Sequence, residues 1–491
     1  MHVEVVGEIH PTLALEGHPY TSGPFTPNYR EVNAVDLEVE GTIPARLNGV
    51  YLRNTQNPVY QPLGKFHPFD GDAMLHLMSF QNGRCEYRNR FIRTRAFQQE
   101  QQAGRALYAG LIDKPSLSEL PGWGARGGLR DSAATDVIVH AGKALAMFYQ
   151  CGEPYRLDAR TLELEGVDAW GAEVLRDCGL SAHAKVDPRT GDLLFFNYSK
   201  DAPYMHYGEV DRQNRLVHYV PVPLPGPRLP HDMAFTEHFA ILNDFPLHWD
   251  ENLLPQGKHK LSYYPDKPSR FAIVPRRWAA SAQIRWFEAS PTYVLHWLNA
   301  WEDGDEVVLH GYHQKTPMPK AGYDNTGNTM GPDRYGPTLY EWRFNLRTGA
   351  TRERRLDERY LEFGMVNMEY WGKPYRYSYN MLAHPGAFLF DGILRYDHIT
   401  GESQQYLFGE GRFGSESPMA PCHDAQGEDD GYVVSFVTDM NTERSECLVL
   451  DARDLAAGPV ARIFLPHRIS SGTHACWADA RDIQSDWAGL L

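Results

Sequence analysis

Short runs of alternating or continuously apolar residues follow one another along most of this chain, and the 3.6-residue period of a helix is scarce. Residues 144–149, 193–197, 239–243, 307–312, 431–437 and 447–450 read as strands, because alternate residues of an extended chain share one face. Turn formers stand between them, among 34 prolines and 43 glycines in all. One short helix is expected between Thr94 and Leu111, where Gln, Glu and Ala cluster on both sides of Gly104. Residues 314–337 are rich in Gly, Pro and Asn and lack alternation. They read as a long loop on one face, and loops of that length are often functional.

A degenerate unit recurs along the pattern: a strand, an Asp or Asn, a tight turn, a second strand. It begins at Leu157, Val186, Val210, Phe344, Tyr396 and Leu450, and more loosely at Phe80. The Asp or Asn side chain opens the turn, and Gly, where present, takes the residue that needs positive φ. Repeated hairpins of this kind join the outer strands of propeller blades. They favour a β-propeller with blades of roughly 40 to 60 residues over a large irregular β-sandwich. At 491 residues the chain has the length of two or three domains. No internal linker stands out, so the division expected is an N-terminal extension (1–37) and a single β-propeller catalytic domain (38–491).

Composition narrows the function classes. The hydrophobic fraction of 42% supports a large packed core, and a net charge of −15 argues against a nucleic-acid-binding face. Arg276-Arg277 and the arginines at 352, 354 and 355 read as solvated faces. Six cysteines without a C-x-x-C pair read as buried thiols, not a disulfide framework. The first residues carry no signal-like apolar run, and no stretch reaches about 18 apolar residues. A soluble, cytoplasmic protein is expected, with possible peripheral membrane contact through a small apolar patch.

Four histidines sit in separate strand-like words: His183 in Ser181-Ala-His-Ala-Lys185, His231 in Leu229-Pro-His-Asp-Met233, His296 in Val294-Leu-His-Trp-Leu298 and His474 in Gly472-Thr-His-Ala-Cys476. No short metal motif contains them. Brought together they would make an all-imidazole site, which suits iron, zinc, copper or nickel. Other candidates take plainer readings. His310 and His313 read as a surface pair, and Asp70-Gly71-Asp72 as a structural turn. Ser470-Ser471 shows no nucleophile arrangement with a buried acid.

The words Asn48-Gly-Val-Tyr-Leu-Arg-Asn-Thr-Gln-Asn-Pro58, His67-Pro-Phe-Asp-Gly-Asp-Ala-Met-Leu-His76, Trp371-Gly-Lys-Pro-Tyr-Arg-Tyr377, Gly411-Arg-Phe-Gly-Ser-Glu-Ser-Pro418 and Glu428-Asp-Asp-Gly-Tyr432 are jointly specific. With them the chain resembles the carotenoid cleavage oxygenase family, which includes lignostilbene dioxygenases. The resemblance runs from about Val39 to Trp477. It implies an all-β, seven-bladed β-propeller with helices and long loops capping one face. It also implies a non-haem Fe(II) on the axis, held by His183, His231, His296 and His474. The implied reaction inserts both atoms of dioxygen across a conjugated double bond and releases two carbonyl products, with no organic cofactor.

The family supports its ligands with three glutamates. Glu362 and Glu416 match two of them, and the third position falls on Gln150, with Glu153 as the alternative. Stilbene cleavers of the family recognise a phenol through a tyrosine and a lysine. The matching positions here are Phe91 and Tyr149, which replace polar anchors by aromatic surface. That exchange favours an apolar polyene, a carotenoid or apocarotenoid, held by burial and stacking. The Tyr149 hydroxyl keeps a stilbene or phenylpropenoid as the alternative. A propeller that only binds a ligand is disfavoured because all four histidines are present, and nothing singles out isomerohydrolase chemistry.

Overall fold

Strands form where the alternation places them, at Lys143–Met147, Leu193–Tyr198, Phe239–Asp244, Glu306–Gln314, Gly431–Asp439 and Arg444–Asp451. A computed structural model describes residues 1–13, 18–125, 127–168, 170, 179–277, 283–318 and 331–483. The recurring turn has the expected chemistry. Asp158 Oδ1 accepts the N–H groups of Arg160 and Thr161, Asn345 Oδ1 those of Arg347 and Thr348, and Asp397 Oδ1 those of Ile399 and Thr400. Gly349 and Gly401 close two of these turns at φ +78° and +76°, a region L side chains rarely adopt.

These hairpins build four-stranded antiparallel meanders. One runs Asp136–His140, Lys143–Met147, Tyr155–Asp158, Leu164–Val167, and the next Lys185–Val186, Leu193–Tyr198, Met205–Val210, Leu216–Pro221. Two more run from Ala234–Phe235 to Arg285–Ala289 and from Trp297–Asp303 to Thr351–Arg355. A ten-stranded sheet holds two further meanders, from Leu361–Met365 to Ser403–Leu407 and from Met419–Pro421 to Pro459–Phe464, joined through Arg412–Gly414. Gly472–Asp479, near the end of the chain, pairs antiparallel with Gly49–Asn57 near its beginning. That pairing joins the two ends of the chain in one sheet and closes the ring. The architecture is a β-propeller. His2–Glu8 and Arg30–Val35 add strands outside Arg84–Phe91, so this part of the N-terminal segment extends a blade.

The core lies between blades. Leu52, Leu75, Val137, Ala144, Leu157 and Cys476 belong to one cluster drawn from two neighbouring sheets. The helix runs Arg95–Ala103, capped by the Thr94 side chain, and Gly104 at φ +68° ends it earlier than the composition suggests. Of the loop expected at 314–337, residues 319–330 lie outside the described residues, and Pro332–Tyr335 forms a single helical turn. Asp70 and Asp72 are structural: Asp70 accepts from the backbone of His67 and Leu111, and Asp72 pairs with Arg130. The five described cysteines are buried and form no disulfide with one another, and no helix among the described residues is long and apolar enough to cross a membrane.

Two expectations need correction. His310 is not at the surface: it is 2% exposed and lies 2.7 Å from the Tyr375 hydroxyl and 3.2 Å from Glu341 Oε2. Its strand is the second of its meander, where side chains turn into the inter-blade core. Arg276 is not merely solvated either, since it pairs with Asp187 and Glu209.

Buried histidines give the fold an acid limit. His140 has a buried Nε2 without a hydrogen-bond partner, and burial holds its pKa down at about 4. The unfolded chain, at about 6.5, therefore takes up a proton first as pH falls. The contribution of neutral His140 is complete above pH 6.5 and is lost between 6.5 and 4. By pH 5 the loss is about 2 kcal/mol. Urea unfolding at pH 7 and pH 5 checks this: His140→Gln should shrink the stability difference between the two pH values by about that amount, and an unchanged difference would refute it.

Candidate metal centre

The four imidazoles converge because each stands on the innermost strand of its meander or just before it. His183 precedes Lys185–Val186, His231 precedes Ala234–Phe235, His296 precedes Trp297–Asp303, and His474 lies within Gly472–Asp479. The His183 ring centroid is 4.8 Å from that of His231, 5.1 Å from His296 and 4.5 Å from His474. His296 lies 5.2 Å from His231 and 4.7 Å from His474. Donor atoms of His183, His296 and His474 all fall within 4.8 Å of one another, whereas His231 stands outside that tightest group. Two residues here hold strained backbone, His183 at φ +66° and Phe363 at φ +49°, and the Phe363 ring stacks on His474 at 4.5 Å.

Carboxylates brace the rings from outside. His296 Nδ1 lies 2.7 Å from Glu362 Oε2, and His474 Nδ1 lies 3.3 Å from both oxygens of Glu416, which also accepts the Ala475 N–H. His183 is served by Asp136: Oδ2 accepts its backbone N–H at 3.0 Å and lies 3.1 Å from its Nδ1. Asp136 carries no local signature that separates it from other aspartates leading a strand, and sequence reasoning passes over it. Gln150, expected to support a ligand, is 5% exposed, and its Oε1 has no hydrogen-bond partner. Glu153 is engaged elsewhere, with Arg95 and the Tyr155 hydroxyl.

Burial sets the protonation states. It holds His183 and His231 well below the usual imidazole value and His474 at about 3, so these rings are neutral, the form that binds metals. Burial also lowers His296, but Glu362 beside it outweighs that and leaves it raised. Glu416 is pushed up to about 8 by burial, an effect that a nearby cation opposes. The Nε2 atoms of His183 and His296 are buried without a hydrogen-bond partner. Two such lone pairs cost about 1–3 kcal/mol each if left unmet. A metal ion fits them, and an all-imidazole donor set admits Fe, Zn, Cu or Ni.

Above the imidazoles lies a largely apolar cavity of about 230 Å³, lined among others by Phe69, Tyr149, Leu229, Tyr293, Phe363 and Phe388. Tyr149 packs 5.1 Å from His231. Phe91 does not reach this cavity, a correction to its expected place at the substrate. Its ring stacks on Phe97 at 5.4 Å, inside a separate cluster with Val59 and Met74. The inward face of its strand, Arg84–Phe91, is used up in blade packing. Described residues of the 314–337 segment do line the cavity: Gln314, Met318, Arg334 and Tyr335. A smaller cavity of mixed lining is bounded by His183, His296 and His474 together with Asp136, Lys185, Asp232 and Glu416.

The family model described as retinal pigment epithelial membrane protein matches residues 25–479. A carotenoid 9,10(9',10')-cleavage dioxygenase 1 of Arabidopsis thaliana is 32% identical over 498 residues, covering 95% of this chain and 90% of that protein. An isoeugenol monooxygenase of Pseudomonas nitroreducens is 32% identical over 479 residues, covering 94% and 98%. Among solved structures, the lignostilbene dioxygenase of Pseudomonas brassicacearum superposes with a TM-score of 0.85 at 28% identity, covering 96% of this chain and 100% of that one.

Proposed function

The chain belongs to the retinal pigment epithelial membrane protein family of carotenoid cleavage oxygenases, and on that footing we propose that it is a non-haem Fe(II) dioxygenase that splits a conjugated C=C bond into two carbonyl products. The observation that carries this is the group of buried imidazoles within 4.8 Å of one another, two of which, His296 and His474, line an aromatic cavity together with His231. In this reading His183, His231, His296 and His474 hold the iron, and Asp136, Glu362 and Glu416 fix their orientation. Bound Fe(II) supplies the activation of dioxygen next to the alkene. The chain's part is positioning: Phe69, Tyr149, Phe363 and Phe388 grip a flat apolar substrate and exclude water from the reacting bond. The same reading counts each meander as one blade of seven, and places the protein in the cytoplasm. Exposed Ile112, Leu117 and Leu120 support peripheral membrane contact, where an apolar substrate would be met.

The apolar lining favours a carotenoid or apocarotenoid. One observation favours the second reading, a hydroxylated phenylpropenoid or stilbene. Gln314 lines the cavity, is 2% exposed, and its Oε1 has no hydrogen-bond partner. A substrate hydroxyl would satisfy that oxygen. Gln314 faces Tyr293 across the sheet, three residues before His296, or about 10 Å along an extended chain. A para-hydroxyphenyl ring and its attached alkene span much of that reach.

The test is product analysis by mass spectrometry, with iron-loaded protein given apocarotenals, isoeugenol and hydroxystilbenes side by side under ¹⁸O₂. Each carbonyl product should carry one labelled oxygen. Labelled aldehydes from the polyene support the first substrate reading, those from the phenols alone support the second, and no cleavage of any alkene defeats both. Gln314→Leu then separates the two further. If a substrate hydroxyl docks there, the preference for hydroxylated over deoxygenated alkene should fall about tenfold in kcat/KM, the worth of one buried hydrogen bond. An unchanged preference would remove Gln314 from recognition.

A further inference from the structure

We propose that Asp232 is a positioning residue whose single carboxylate locks three of the four imidazole-bearing segments into one geometry; this rests on the metal-centre reading above. Asp232 directly follows His231, and its side chain is 1% exposed. Its Oδ1 accepts from Lys185 Nζ at 2.8 Å and from the Met233 N–H at 2.7 Å. Its Oδ2 accepts from the Trp297 N–H at 2.8 Å. Lys185 lies two residues beyond His183, and Trp297 directly follows His296. One carboxylate therefore touches the segments of His183, His231 and His296 at once, whereas Asp136, Glu362 and Glu416 each brace one histidine.

The need for such a tie follows from the strands. His474 sits inside the eight-residue strand Gly472–Asp479, at an irregularity flanked by the pairs Gly472–Thr55 and Ala475–Arg53, so the ladder to Gly49–Asn57 anchors it on both sides. His183 and His231 instead precede strands of only two residues, Lys185–Val186 and Ala234–Phe235. A two-residue ladder does not fix the segment before it, and His183 also sits at φ +66°, a conformation that persists only when its surroundings over-determine it. A buried carboxylate with three donors is rigid, because every lost bond leaves desolvated charge unmet. Lys185 balances that charge and lies over the Trp371 ring at 5.9 Å, which limits its own freedom.

The experiment titrates Co(II) into metal-free full-length protein and follows both affinity and the visible absorption spectrum, which reports ligand geometry. Asp232→Asn keeps the shape, but its NH₂ cannot accept, so at least one segment is released. Affinity should fall about 10- to 100-fold, as for other residues that support metal ligands. The spectrum should change as well, while the far-UV circular dichroism of the metal-free protein stays the same. Lys185→Met frees only the His183 segment and should give a smaller loss with its own spectral shift. Wild-type affinity and spectrum in Asp232→Asn would overturn the proposal. Should that variant not fold, an unaltered spectrum and affinity in Lys185→Met would overturn it instead. Failure of the unmodified protein to bind Co(II) would strike the metal reading itself, a result distinguishable from either.

Discussion

In His296→Ala, bound iron should fall to background and turnover should drop on the order of 10³-fold, about 4 kcal/mol of lost transition-state stabilisation. Two effects add. The imidazole contributes one of the donor atoms within 4.8 Å, leaving two in that tightest group. Its removal also strands Glu362, a buried carboxylate whose Oε2 then keeps only the Phe363 N–H, while Oε1 already lacks a partner. Uncompensated buried charge costs several kcal/mol, so the substitution loosens the inner strand as well as the ligand set. Iron per chain by elemental analysis and oxygen uptake with a cleaved substrate measure the two consequences separately. Full iron content with full activity would sink the assignment of His296 as a ligand.

Asp136→Asn should weaken metal binding about 10- to 100-fold at nearly unchanged fold. Asp136 Oδ1 accepts the Val137 N–H, and Oδ2 accepts the His183 N–H while facing its ring nitrogen. An asparagine has one acceptor where the site asks for two. Whichever way the amide turns, an NH₂ group meets an N–H, that of Val137 or that of His183, and one of the two segments is pushed from its place. The charge that opposes the cation is lost as well. Equilibrium dialysis against Fe(II) under anaerobic conditions, with a thermal melt of the metal-free protein beside it, gives the answer. Unchanged affinity would mean that Asp136 braces only the backbone.

Whether a residue of this centre can be read from sequence depends on whether a family word carries it, since all the partners lie far apart along the chain. Glu362 and Glu416 are reached through resemblance, and they lie 2.7 and 3.3 Å from His296 and His474. Asp136 meets a residue 47 positions away, and Asp232 meets Trp297 65 positions on. Neither is marked by its neighbours, because a strand-leading aspartate has the same local pattern whether it faces the axis or solvent. Phe91 illustrates the reverse error. Its place in an aligned word suggests the substrate, yet its strand turns that ring onto Phe97. Gln150 occupies the place of a supporting glutamate by alignment, and no hydrogen bond to a histidine is found for it among the described residues.

By itself, the sequence determined what is local. Alternation specified the strands because side-chain direction has a period of two, and the Asp- and Asn-led turns specified hairpins because they are closed by bonds within a few residues, as at Asp158, Asn345 and Asp397. Family words added the four histidines. Tertiary structure alone decided which carboxylate serves which imidazole, which aromatic rings line the cavity beside them, and that His310 is core. Those choices depend on how the blades turn about one axis once Gly472–Asp479 pairs with Gly49–Asn57. Ring closure converts separations of tens to hundreds of residues into contacts of about 3 Å, and no window of sequence short enough to be read as a pattern contains both partners.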